Sequence, residues 1–329
     1  MSQLASTNPP AVPPVTPPHL PDTIRAAFAP VAGLAEAEAY TRSLARGHYE
    51  NFSVVTFLLP KHLHQDFYNV YAFCRIADDL GDEVGDPQLA RDYLARFREQ
   101  LLACYEGNAQ TAVFVALKGT IDRHDIPAKP FLDLIDAFEQ DQRVNRYDTF
   151  EQVVDYCRRS ADPVGRLVLY LCGYRDEVRQ RLSDRTCTAL QLANFWQDVR
   201  RDLTERNRIY LPRDSMVRFG VAEEQIATFR FDENFRNLMK FEVERARALF
   251  DEGAALLPLL DPVVRRQISL FEQGGRAILR AIERQGYDTL TRRPKLSKWQ
   301  KGRLVLKALG VAMAQKLTRS TIRRQGGSV

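Results

Sequence analysis

Two runs of acidic residues fall on single helical faces, each beside polar groups that can complete a site. They are YAFCRIADDLGDE at 71–83 and QLANFWQDVRRD at 191–202. At about 100° per residue, Tyr71, Arg75, Asp78 and Asp82 share one stripe, and Gln191, Asn194, Asp198 and Asp202 share another. Like charges at i,i+4 repel by about 0.2–0.5 kcal/mol on a solvated helix, and by more where the face turns inward. Cations offset that repulsion. Two such faces turned toward each other form an oxygen-lined site for hard divalent metals.

Magnesium takes six oxygens, keeps several waters and is usually held by a few carboxylates together with substrate phosphate. The pair of faces therefore predicts Mg2+ held between Asp78, Asp82, Asp198, Asp202 and a diphosphate, with the metal drawing electrons from the leaving group. Arg75, Arg208 and Tyr210 are candidate partners for that diphosphate, since arginine pairs with phosphate strongly and directionally. Competing chemistries lack their residues. No Glu-x-x-His spacing supports a di-iron centre. Glu83 stands where a calcium loop needs glycine. His19, His48, His62, His64 and His124 make no zinc spacing, and no G-x-G-x-x-G occurs.

Helical periodicity supplies the elements that must carry these faces. It predicts helices over 34–46, 61–84, 88–105, 109–124, 129–145, 150–170, 176–201, 234–256, 262–285 and 297–319, punctuated by proline and glycine. No alternating β-branched run with hairpin turns stands out, so the expected class is all-α, with the acidic helices converging on one cavity of a bundle. Pro163 and Gly165 interrupt the 150–170 helix. They read either as a packing kink or as a cavity wall widened for a long apolar chain.

The 329 residues allow a large core, and 45% hydrophobic with 27% charged residues is ordinary for a soluble globular chain. Five cysteines without a C-x-x-C pair suit buried thiols in a reducing compartment. No basic residue precedes Arg25 and no apolar core accompanies it, so no signal peptide is expected and the location is cytoplasmic. Seven prolines between Pro9 and Pro21 mark residues 1–22 as a disordered leader. From Arg284 onward twelve basic residues meet one acidic residue, a net +11, which leaves −6 on the remainder.

The chain also resembles the squalene/phytoene synthase family of isoprenoid synthases over about 48–298. The resemblance rests on HYENFSVVTFLLP at 48–60, YAFCRIADDLGDE at 71–83, YCRRSADPVGRLVL at 156–169, QLANFWQDVRRDL at 191–203 and RIYLP at 208–212. It implies an isoprenoid-synthase bundle at 23–296 with a central cavity that condenses prenyl diphosphates, or rearranges their cyclopropyl product, with magnesium. By position it makes Asp78, Asp82, Asn194, Asp198 and Asp202 metal or metal–diphosphate ligands. It puts Arg75 and the His48–Asn51 segment at the diphosphate. Phe52, Tyr71, Tyr156, Val164, Gly165 and Gln191 would line the prenyl channel and reaction centre.

HYENF, NFWQD and GGRAILRAIERQGYDTL at 274–290 look most like the hydroxysqualene-forming branch of bacteria. That implies ionisation of presqualene diphosphate and capture of the C30 cation by water. Coupling of two farnesyl or geranylgeranyl diphosphates is the related alternative, and a non-catalytic assembly protein on the same fold is the alternative of another class. Two departures from the wider family support that branch. Gln197 stands where many members have arginine, suggesting different handling of one diphosphate. Gly275 stands where others have tyrosine, suggesting room for water near the cation. The segment from Asp202 to Tyr210 looks one residue longer than usual.

The basic segment 297–329 mixes Trp299, Leu, Val and Met with Lys301, Arg303, Lys307 and Lys316. It reads equally as an amphipathic helix on the inner, anionic membrane surface or as a final core-packed helix. Nucleic acid is not an expected partner, since no binding motif accompanies the charge.

Overall fold

A computed structural model describes residues 20–47 and 60–295. His48, Asn51, Phe52 and the basic segment 297–329 lie outside the described residues, as does most of the proline-rich leader. The described chain is helical, with only isolated bridges, Pro30 to Thr111 and Arg146 to Ile209, in extended pairing. The helices run α1 (Asp22–Ala27), α2 (Leu34–Gly47), α3 (His64–Asp82), α4 (Pro87–Tyr105), α5 (Ala112–His124), α6 (Lys129–Asp141) and α7 (Phe150–Ser160). There follow α8 (Asp162–Leu171), α9 (Glu177–Arg206), α10 (Arg213–Arg218), α11 (Glu223–Ala227), α12 (Glu233–Gly253) and α13 (Pro262–Arg284).

Each acidic helix has the opposite face to bury. On α3, Phe73, Ile76, Ala77 and Leu80 recur at i, i+3, i+4 and i+7 and are fully buried. They join Phe97, Phe114 and Phe131 in a core built by α3 to α6. On α9, Ala189, Leu192, Ala193, Trp196 and Val199 do the same against α12 and α13, with Phe235, Val243 and Phe250. Helix α6 touches α3, α7 and α8, so the two cores meet along it. Caps set the starts: Asp86 accepts from Leu89 N at 2.7 Å before Pro87, and Asp176, Asp232 and Asp261 cap α9, α12 and α13 likewise.

Several boundaries differ from the sequence expectation. The predicted 150–170 helix is two helices meeting at Ala161, with Pro163 in the first turn of α8, where its missing N–H has no helical partner to lose. A Cβ on Gly165 would stand 2.4 Å from Cys187 Sγ and 2.5 Å from Ser183 Oγ. That glycine therefore admits α9 rather than a prenyl chain, and the packing reading holds. Helix α9 continues to Arg206, five residues beyond the expected end, and closes on Asn207 in the left-handed region. Helix α6 stops at Asp141 rather than Asn145. Leu20 is buried and α1 begins at Asp22, so packed structure starts inside the expected leader.

Candidate active site

The acidic faces of α3 and α9 line one cleft of about 250 Å³. Asp78 and Asp82 enter from α3; Gln191, Asn194, Asp198 and Asp202 enter from α9. Tyr156, Arg208 and Tyr210 line it too, as the sequence predicts, together with Phe138, Asp141, Ser160, Phe195 and Arg206, which it did not. The spacing of four that put the carboxylates on one stripe is what aims them inward.

Guanidinium groups already answer part of the negative charge. Arg206 reaches across from α9 to Asp82 at 2.7 Å, and Arg208 stands 3.4 Å from both Asp82 and Asp141. Arg293 makes a forked ion pair with Asp198. Charge repulsion remains visible elsewhere. Burial, then the neighbouring Asp198, pushes the Asp202 carboxyl up to about 7. Enclosure and then Asp82 push Asp78 up to about 6, although 45% of its side chain stays open. Among the described residues, no three His, Cys, Asp or Glu side chains are arranged around one point as a ready-made metal cage.

The floor is aromatic. Phe195 and Tyr210 stack with centroids 3.6 Å apart and 8° between planes; Tyr147 and Tyr156 flank Tyr210 at 5.6 and 5.8 Å. Tyr156 donates its hydroxyl to Asp141 at 2.7 Å. Burial, then Asp141, holds that phenol well above its usual range, so it stays protonated.

Four predicted residues stand apart from the cleft lining. Arg75 is paired with buried Asp79 and lies 3.8 Å from Asp78, and Tyr71 is half-buried on the same stripe. Val164 is exposed and Gly165 packs on α9. Of the two family departures, Gln197 does not face the cleft, and Gly275, where room for water was expected, does not open it. Buried Gln197 turns from the cleft to donate to Pro294 O at 2.7 Å. A Cβ at Gly275 would meet Phe250 Cζ at 2.4 Å and Leu190 Cδ2 at 2.7 Å, so that glycine leaves no room for water. The residues past α13 fold back over α9, where Arg200 donates to Leu290 O at 3.3 Å and Thr291 O at 3.1 Å.

Arg206 had a sequence signal: it continues the 198, 202 stripe by one more turn, had the helix been extended. Asp141 and Arg293 had none, because their partners lie 15 to 95 positions away.

Comparison with known proteins agrees with this geometry. The squalene/phytoene synthase family profile matches residues 45–300. A phytoene synthase of Thermus thermophilus is 33% identical over 264 residues, covering 80% of this chain and 89% of that protein. A hydroxysqualene synthase of Sinorhizobium fredii is 32% identical over 217 residues, covering 66% and 73%. The crystal structure of squalene synthase HpnC from Alicyclobacillus acidocaldarius superposes with a TM-score of 0.74 at 48% identity, over 81% of this chain and 99% of that one. The protein belongs to the squalene/phytoene synthase family and has its all-α isoprenoid-synthase fold.

Proposed function

We propose that this chain is a magnesium-dependent enzyme that ionises presqualene diphosphate and quenches the C30 cation with water to give hydroxysqualene. That the family acts on prenyl diphosphates stands on the match itself. The observation that carries the chemistry is the shared cleft, with carboxylates from three helices on its walls, three arginines among them and stacked rings beneath. The hydroxysqualene product is favoured by the Sinorhizobium relative, a hydroxysqualene synthase, while the 48% identity to the squalene synthase HpnC structure favours a C30 product. The Thermus relative keeps phytoene-type coupling of two prenyl diphosphates as the second reading. An assembly protein without catalysis has no need for this crowded, enclosed set of carboxylates.

The donor set fits magnesium: only hard oxygens, from Asp78, Asp82, Asn194, Asp198 and Asp202, and no imidazole or thiolate. An ion that uses one or two carboxylates with water and phosphate needs no three-carboxylate cage. When bound, Mg2+ supplies Lewis-acid stabilisation of the diphosphate as it leaves. The chain's own residues do the rest. Arg206 and Arg208 stand beside the carboxylates and can turn to phosphate oxygens. The faces of Phe195 and Tyr210 offer ring-quadrupole stabilisation to an adjacent carbocation. The protonated Tyr156 cannot quench that cation as a phenolate.

Mass spectrometry of the lipid formed from presqualene diphosphate and Mg2+, with and without NADPH, tests the reading. Hydroxysqualene without reductant is the expected result. Squalene that requires NADPH, or no turnover of this substrate beside turnover of farnesyl or geranylgeranyl diphosphate, refutes it. Association with the membrane through 297–329 belongs to the same proposal. No helix among the described residues is long and apolar enough to cross a membrane.

A further inference from the structure

Asp141 sits where a carboxylate has little reason to be. It is the last residue of α6, at the end of the helix whose carbonyls disfavour negative charge. Its side chain is 5% exposed, and both Asp82 and Asp78 add repulsion. A buried ion pair of this kind contributes little to stability against a well-packed neutral replacement. Its two attachments, by contrast, both lie in the cleft.

The first attachment is Arg208, itself 10% exposed. One guanidinium nitrogen is 3.4 Å from the Asp141 carboxylate and 3.4 Å from Asp82, while the other donates to the Asp141 main-chain carbonyl at 3.2 Å. Two groups of one residue thus hold two prongs of the fork. The second attachment is the Tyr156 hydroxyl at 2.7 Å. With its proton directed at Asp141, the phenol oxygen keeps its lone pairs for other partners. Oδ1 of Asp141 is buried without a hydrogen-bond partner, so the carboxylate is not fully satisfied by folding contacts.

A long side chain that must find phosphate from many rotamers loses entropy on binding, and one already held in place loses less. We propose that Asp141 is a positioning residue for the leaving group, fixing the Arg208 guanidinium and the Tyr156 hydroxyl so that a diphosphate meets them preorganised. The inference rests on the prenyl-diphosphate reading of the same cleft and assigns Asp141 a part in it. If Asp141 served folding alone, its loss would lower stability and leave anion affinity unchanged in the folded fraction.

The experiment measures binding of inorganic pyrophosphate with Mg2+ by titration calorimetry, beside thermal melts, for wild type, Asp141→Asn, Arg208→Gln and the double variant. Asparagine keeps an acceptor for Tyr156 and removes the charge from Arg208. Asp141→Asn should weaken pyrophosphate about 10-fold with a near-native melt, and the double variant should bind no worse than Arg208→Gln alone. Arg208→Lys, which keeps the charge and loses the fork, should lose several-fold affinity and serves if Asp141→Asn does not fold. Wild-type affinity in Asp141→Asn, full additivity in the double variant, or unchanged affinity in Arg208→Lys overturns the proposal. Should wild type with Mg2+ bind no pyrophosphate, the reading of the cleft falls and this inference with it; a binding wild type beside an unaffected Asp141→Asn removes the inference alone.

Discussion

Adjacent glycines in α13 offer a matched test of how tightly the last helix is seated. A Cβ built on Gly274 has nothing within 4 Å, whereas one on Gly275 meets Phe250 Cζ at 2.4 Å and Leu190 Cδ2 at 2.7 Å. Alanine in a helix interior gains about 0.5–1 kcal/mol over glycine. Gly274→Ala should keep that gain. Gly275→Ala receives the same propensity term but adds overpacking of about 1–3 kcal/mol. The propensity term cancels between the two variants, so their difference isolates the clash. At about 2–4 °C per kcal/mol, Gly275→Ala should melt about 2–12 °C below Gly274→Ala. Circular dichroism melts and urea midpoints at constant m-value measure this. Equal midpoints would show that α13 moves away from α9 without cost, and that a water-sized space can open at Gly275 after all. Leu190 precedes Gln191 of the cleft, so Gly275→Ala should also lower turnover, while Gly274→Ala should not.

The cleft carboxylates make stability depend on pH. Asp141 and Asp202 are both raised to about 7, chiefly by burial, so the folded protein holds protons that the unfolded chain releases near pH 4. Their contribution is full below about pH 4 and lost as pH rises through about 7. Without divalent metal the urea midpoint should therefore fall between about pH 5 and 8, and Asp141→Asn should flatten that slope; an unchanged slope contradicts the assignment. Arg293→Gln removes the cation that sits on Asp198, and Mn2+ binding measured by calorimetry should tighten several-fold. No change would mean that arginine and metal do not compete there. A chain ended at Leu296 should lose sedimentation with anionic liposomes relative to the full chain, and equal binding would assign any membrane affinity elsewhere.

What is legible in the sequence is whatever depends on short-range periodicity. Residues 73, 76, 77 and 80 announce a buried face of α3, and the aspartates opposite follow from a spacing of four. That both acidic faces turn toward one cleft, rather than toward solvent, is what the structure adds. The continuation of α9 to Arg206 is hidden because 202–206 is polar, with one apolar residue in five, and periodicity has nothing there to count. Gly165 and Gly275 mislead for a related reason. A glycine declares missing bulk, but only the packed neighbour, Cys187 or Phe250, says what uses the space. Asp141 is invisible because its meaning lies in Tyr156 and Arg208, contributed by other parts of the chain.

The fold-back after α13 has a practical side. Gln197, Asp198 and Arg200, within one turn of α9, each grip a group between Leu290 and Pro294. Shortening the enzyme to before Leu290 would strip a buried amide of its acceptor and strand the Asp198 carboxylate. Any trimming must therefore leave Pro294 in place, and a protein engineer should treat the stretch from the end of the last helix to that proline as belonging to the vessel rather than to its handle.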